Sequence, residues 1–485
     1  MKRSLTSLEL HYVKIMFRRS TARVQLLLVP FLATITSFVL SGRRSIWSDE
    51  AATIYRINLS WKLFFHASIY KDDVVHATYY AILKIAHFAL GSDLFRLRMF
   101  SGLCIGFALY GIGKLTLLFF DKNHALLVQI ILFLLPSTLD YGTDARSYAL
   151  SFATDTWLCF LFFRIYQRAQ ESKSYGWLIT GFIFLDVITS QIFIYNILIG
   201  FVLIVFLLRK RKTSLSKIFL LAHGLAVAST IPLLVIASIQ ISQIGWITRG
   251  FFQAWGDALS VAFASKSWVM AILGTLIFTV VTIYLARRRS LLSEPHRDLM
   301  FWAISMISFP AGFLIVASLL HPIFTQRYVF PFTSGVALLL GLAYMGLQKV
   351  GRIALASLLI PVCLLATAFN FQTSGRDYWG AKVSIIQKHS RPDAAVMASG
   401  RFYEEVLIVQ PIRNVSVLRF PNSPKLPTGV KLPKTVTLES RPSQIFVIPL
   451  TKVHPADISL LEANGYSLTN SYRVGPGAIL EFNRN

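Results

Sequence analysis

The sequence predicts a polytopic α-helical membrane protein with a small extracytoplasmic α/β domain at its C-terminal end. Three observations predict it. Only 15% of the 485 residues are charged and 54% are hydrophobic, against about 25% charged in soluble domains. Apolar runs of ~17–25 residues recur, the length that crosses a bilayer core as helix. After Asn370 those runs stop and the composition turns polar.

The chain opens with a basic tail, Lys2, Arg3, Lys14, Arg18, Arg19 and Arg23, which the positive-inside bias assigns to the cytoplasm. The apolar run at 24–40 lacks a small-residue cleavage site and reads as a retained signal-anchor helix. Residues 41–97 form a first external segment. Within it, 60–70 carries Trp61, Phe64 and Phe65 and suits a short amphipathic helix on the membrane surface. The apolar stretch at 76–91 is short for a span and reads as interfacial or re-entrant. Counting it as a span would invert every later loop and break the charge rule.

Ten further spans follow, at 98–119, 125–136, 149–164, 177–190, 192–208, 218–237, 267–286, 299–320, 329–347 and 353–369, for about eleven in all. The basic turns at Lys122, Arg164 to Lys173, Arg209 to Lys212, Arg287 to Arg289 and Lys349 to Arg352 then fall on one side. The other side receives 137–148, Gln191, the loop 238–266 with Trp246, Arg249 and Trp255, and His321 with Pro322. Residues 1–370 form the membrane domain. Residues 371–485 form the α/β domain, with strand-like runs at 394–398, 415–418, 444–449 and 478–482, helical runs at 382–388 and 456–464, and a proline-rich loop at 421–433. The expected setting is a cytoplasmic membrane, with the N-terminus inside and the α/β domain outside.

Composition also excludes. The net charge of +25 belongs to loop anchoring; with no RNA- or DNA-binding motif, nucleic acid is not an expected partner. Cys104, Cys159 and Cys363 all fall in apolar runs, without disulfide framework or zinc spacing.

Four elements at span ends converge on the external face. They are Asp49 with Glu50; Asp72 and Asp73 followed by His76, Tyr79 and Tyr80; Asp144, Arg146 and Tyr148; and Gln326, Arg327 and Tyr328. Acids beside hydrocarbon are costly and mark function. Each has a bland counterpart. An acid can cap a helix, an Arg can anchor in headgroups, and the tyrosines can form an aromatic belt. What distinguishes the set is that acids, a His and arginines share one leaflet on elements separated in sequence.

Such a set suits transfer of a sugar from a lipid phosphate. A carboxylate takes the proton of an attacking acceptor hydroxyl. Arg327 and Arg146, with Arg249 as a third candidate, hold the phosphate leaving group by paired hydrogen bonds. His76, Tyr79, Tyr80, Asp144, Tyr148, Gln326 and Tyr328 remain for substrate contacts. Two acids, Asp49 and Asp144 among them, can alternatively hold a divalent cation.

The same residues resemble a known family. Trp47, Ser48, Asp49, Glu50, Ala51 and Ala52 look like the first-loop acidic motif of GT-C glycosyltransferases, specifically family 39 and its protein-mannosyltransferase-like bacterial relatives. Asp73 to Tyr80 is similar to their His and Tyr-Tyr element, Asp144 to Leu150 resembles their acid-Ala-Arg-x-Tyr-Ala-Leu segment, and Arg327 to Pro331 their Arg-Tyr segment. The likeness spans roughly 24–370 and departs from the pattern at Ala77, Asp144 and Gln191. It implies a GT-C membrane enzyme, hexosyl- or pentosyltransferase, with a polyprenyl-phosphate sugar donor, an extracytoplasmic acceptor (glycan, lipid or protein), and Asp49 as base beside Glu50. The resemblance to bacterial relatives also implies a bacterial inner membrane.

Two other functions compete. A lipid-linked saccharide transporter predicts inverted repeats and deep acids; no repeat is visible, and Asp155 and Asp186 are the only such acids. A non-catalytic assembly subunit predicts that Asp49 has no role beyond stability.

Overall fold

The computed structural model describes residues 25–71, 74–91, 93–240, 251–263, 267–320, 323–372, 378–399, 401–418, 434–449, 455–474 and 477–485. Helix α1 (Gln25–Ser41) leads to α2 (Ser48–Ile57), α3 (Trp61–Phe65), α4 (Ala77–Leu90), α5 (Leu94–Thr116), α6 (Lys122–Leu134) and α7 (Pro136–Gly142). Then come α8 (Tyr148–Gln170), α9 (Gly176–Ile192), α10 (Ile197–Arg209), α11 (Thr213–Ile239), α12 (Phe251–Ser260), α13 (Trp268–Arg287), α14 (Glu294–Ala317), α15 (Ser334–Gly346) and α16 (Lys349–Gln372). The C-terminal part adds α17 (Trp379–His389), α18 (Arg401–Val409) and α19 (Pro455–Ala463).

A helix stands at every predicted span. Among the described residues, α5, α11, α13, α14 and α16 are each long and apolar enough to cross a membrane, and α6 with α7 makes a sixth if that pair, bent by 67°, counts as one. The bend falls at Leu135, whose ψ of 124° is extended ahead of Pro136 at the first position of α7. Helix α7 was not legible in the predicted segment 137–148; all of its residues are buried. The surface helix foreseen at 60–70 is α3, which winds on into a π-helical turn at His66–Lys71.

The chain packs as two compact units whose boundaries do not follow chain order. One comprises Met1–Val39, Asp73–Tyr79 and Arg98–Asn370; the other comprises Leu40–Asp72, Tyr80–Leu97 and Phe371–Asn485. The first external segment therefore divides, and most of it belongs with the C-terminal residues.

In the first unit, lipid tails are as apolar as leucine, so helices adhere by shape and by polar contacts. Phe163 of α8 packs edge-on against Phe119, Phe206 and Trp302, and Phe162 against Phe219. At the predicted cytoplasmic turns, Asp121 caps α6 by accepting from the amides of Asn123 and His124, and the His124 amide chiefly holds its carboxyl below the usual range. Lys210 sits between Glu294 and Asp298, at 2.7 and 2.8 Å.

The second unit holds a six-stranded sheet ordered β3–β2–β1–β4–β6–β5, with β1 (Ala395–Ser399), β2 (Ser416–Leu418), β3 (Thr435–Val436), β4 (Gln444–Pro449), β5 (Tyr466–Val474) and β6 (Gly477–Arg484). The first four in that order are parallel; β6 and β5 close the sheet antiparallel. Helix α18 makes the crossover from β1 to β2. Met397, Ile445, Val447, Leu461 and Phe482 centre its core. The sequence pattern missed α18, β3 and β5. Strand β5 is an edge whose middle is exposed on both faces, so it shows no apolar alternation. The proline-rich loop 421–433 lies outside the described residues.

Candidate active site

Helix α2 presents the paired acids. Trp47, extended at φ −126°, occupies the N-cap position, so Asp49 and Glu50 fall in the first turn. There the orphan amides and helix dipole favour anions. Asp49 does not stand at the cap position itself. Its side chain is half-buried, whereas Glu50 is fully buried. The Thr53 hydroxyl donates to the Asp49 backbone carbonyl at 3.0 Å.

The other end of α2 is anchored by cations. Lys84 of α4 donates to the carbonyls of Ile57 and Leu59 at 2.8 and 2.5 Å, covering the carbonyls a helix end leaves open. Arg56 donates to Ala52 at 2.9 Å, lies 5.2 Å from the Tyr80 ring centroid and meets Glu405 of α18 at 4.0 Å. Arg56 and Glu405 are only 2% and 7% exposed. Removing one member of a buried pair strands the other charge, so α18 and α2 are held as one piece.

In the first unit, three of the sequence elements meet. His76, on the short 3-10 turn Val74–His76, is buried, and its Nδ1 lies 2.7 Å from the Ser147 hydroxyl. Its ring stacks on Phe193 at 5.4 Å and meets Tyr148 edge-on at 5.6 Å. Tyr328 reaches the same Phe193 at 5.3 Å, and Tyr141 packs on Tyr148 at 5.4 Å. Asp144 and Arg146 are buried beside this cluster in sequence. The Asp144 carbonyl accepts from Ser101 at 2.5 Å and from the Arg146 amide at 2.9 Å, so the turn before α8 is fixed through its backbone. Gln326 donates to Ser260 and to the Asp257 carbonyl of α12, at 3.1 and 3.3 Å. That anchors the 3-10 turn Gln326–Tyr328, on which Arg327 stays half-buried. Tyr79 is fully buried in the same unit; Tyr80 belongs to the other.

Asp72, Asp73, Trp246 and Arg249 lie outside the described residues. Asp49 and Asp144, the acids considered for a cation, belong to different compact units. Among the described residues no group of three or more His, Cys, Asp and Glu side chains is placed to hold a metal ion.

No protein-family model matches the chain, and no curated protein matches it. Solved structures do. ArnT from Cupriavidus metallidurans bound to undecaprenyl phosphate aligns with a TM-score of 0.55 over 94% of this chain and 97% of that one, at 12% identity. Its apo state aligns at 0.53, again at 12% identity and over 94% and 97% of the two chains. The Archaeoglobus fulgidus oligosaccharyltransferase, tethered with an acceptor peptide containing the NVT sequon, aligns at 0.52 with 14% identity, over 81% of this chain and 63% of that one. The chain has the GT-C fold. At these identities the likeness is one of fold.

Within the GT-C fold, Ser147, Phe193, Arg56, Lys84 and Glu405 carry no motif signal in the sequence. Ser147 sits between two motif residues. Phe193 follows the break after α9, inside an apolar run that reads only as a span. Glu405 carries no signal until α18 packs on α2.

Proposed function

We propose that this protein moves a hexose or pentose from a polyprenyl-phosphate donor to an extracytoplasmic acceptor, a glycan, lipid or protein. The observation that carries the reading is the first turn of α2 in a GT-C fold, with Glu50 buried and Asp49 still reachable. Undecaprenyl phosphate in the ArnT neighbour supports a lipid-phosphate donor. Acceptor peptide in the oligosaccharyltransferase supports an acceptor outside the lipid.

In the proposed reaction the acceptor oxygen attacks the anomeric carbon. Asp49 takes the acceptor proton as the new bond forms. The bond from sugar to phosphate breaks, and the phosphate leaves with the electron pair. Arg327 and Arg146 bind that phosphate through planar guanidinium donors. His76, Tyr148 and Tyr328 form the aromatic wall of the substrate site, with Tyr79, Tyr80, Asp144 and Gln326 supporting it. In this reading the α/β domain lies outside the cytoplasm; a reporter fused after Asn485 and active only inside the cell would contradict that orientation.

The test is turnover of the reconstituted protein with a polyprenyl-phosphate sugar. Asp49→Asn keeps size and removes basicity, and it is expected to lower turnover by about 10²–10⁴-fold while sparing insertion and folding. Glu50→Gln is expected to be milder. The reverse order makes Glu50 the base. Full turnover in both variants rejects the catalytic reading of α2.

A further inference from the structure

The start of α11 lines a cavity of about 280 Å3 that the proposed reaction does not use. Tyr166, Tyr175, Arg211, Lys212, Thr213 and Ser214 are among the residues that line it. Its volume is near the lower edge of small-molecule sites, too small for a lipid tail and ample for a phosphate group. We propose that this cavity binds a phosphate-class anion, supplied by an anionic lipid headgroup or as free phosphate.

The donors are in place. No side chain caps α11, a helix of 27 residues. Its N-cap amide, that of Lys212, bonds back to Leu207 at 3.1 Å, and the next amides, those of Thr213, Ser214 and Leu215, have no partner within the helix and point out of its N-terminus. Arg211 and Lys212 make no ion pair among the described residues; their neighbour Lys210 does, with Glu294 and Asp298, and offsets one of those two negative charges. The decisive group is Tyr166. It is 7% exposed, lines the cavity, and its hydroxyl has no hydrogen-bond partner among the described residues. Gln170, one turn on, lies close but outside bonding geometry. A buried hydroxyl without a partner costs stability unless something supplies one, and a phosphate oxygen does.

Two features oppose an anion here: the excess negative charge of Glu294 and Asp298, which Arg211 and Lys212 outweigh, and the end of α8, with its negative dipole end. Its last carbonyls are already taken by its own terminal turn, those of Gln167, Arg168 and Ala169 accepting from Glu171, Lys173 and Ser172. The basic run from Arg209 to Lys212 is among those the charge pattern assigns to the cytoplasmic side, where anionic lipids concentrate.

The experiment titrates purified full-length protein in neutral detergent with dioctanoyl phosphatidylglycerol, dioctanoyl phosphatidylcholine or inorganic phosphate, and counts adducts by native mass spectrometry. One anionic adduct is expected to form ahead of any phosphatidylcholine adduct. Tyr166→Phe, which keeps the packing on Phe206, is expected to weaken it roughly 10-fold. Arg211→Ser with Lys212→Ser is expected to weaken it roughly 30-fold. Arg287→Ser with Arg288→Ser, a matched loss of charge at the end of α13, is expected to leave it intact. Binding by phosphatidylglycerol alone identifies the headgroup as the source; binding by inorganic phosphate as well identifies the free ion. The proposal fails if neither anionic probe is preferred over phosphatidylcholine. It also fails if Tyr166→Phe has no effect while both charge pairs weaken binding equally.

Discussion

Two acidic constellations in this chain sit in opposite surroundings. On α2, Asp49 is half-buried at a helix start, where amides and dipole favour its charge. Inside the first unit, Asp155 of α8 and Asp186 of α9 are fully buried. Asp186 meets the His223 ring of α11 at 3.1 Å. Gly200 of α10 makes room for that ring, since a Cβ there would collide with it. The Asp155 carboxylate has no hydrogen-bond partner among the described residues; the hydroxyl of nearby Ser151 is engaged with Asn196 at 3.0 Å. The difference separates two uses of a carboxylate. An acid that must take a proton from a substrate needs access, and an acid that ties helices together needs a partner.

The strongest way to break this comparison lies in what holds α2. Glu405→Gln takes the carboxylate from the buried Arg56, a loss of up to about 3–5 kcal/mol in the α2–α18 contact. Because a 1 Å misplacement costs about 10²-fold in rate, turnover is expected to fall by that order while the membrane helices still insert. Arg56→Met with Glu405→Leu removes both charges and should recover most of the rate. A double variant as slow as Glu405→Gln would show that the charges, not the docking, matter.

Arg327→Lys comes next. A lysine keeps the charge but not the planar fork, and a lost charge-assisted hydrogen bond corresponds to roughly 10-fold in donor affinity. Titration of donor against the reconstituted variant measures it; unchanged affinity returns Arg327 to headgroup anchoring.

Asp186→Asn sharpens the other side. Polar pairs within membranes contribute about 0.6 kcal/mol on average and ~1.7 at most. The thermal midpoint in detergent should therefore drop by a few degrees, with turnover per folded molecule retained. Loss of turnover without loss of stability would bring the deep acids into function and favour a transport reading.

The smallest effect is expected from Glu481 in β6. It accepts from Tyr472, Gln444, Asn470 and Asn483 at 2.6 to 3.2 Å. Burial alone would raise its carboxyl; those donors outweigh it and hold the group below the ordinary glutamate value. Its stabilisation is thus present above the unfolded value of about 4.3 and is lost as pH falls through the lower folded value. Glu481→Gln should flatten the acid side of the stability profile, read by acid titration of the unfolding midpoint.

The sequence by itself determined the helical membrane class, the positions of the apolar helices, the acidic pair after the first of them and the change to an α/β composition after Asn370. These are local properties. Hydropathy is summed over one helix, and adjacent acids are neighbours in the chain. Residue types also marked His76, Tyr148 and Tyr328 as candidates. Only the tertiary structure decided that all three converge on Phe193, that Asp186 is answered by His223, and that most of the first external segment packs with residues 371–485 rather than with the helices beside it in sequence. Arg56 and Glu405 illustrate the physical reason. Each alone looks like a solvated charge on a helix. Their meaning arises from a contact between distant parts of the chain, whose loop-closure entropy and desolvation have no counterpart in either local segment.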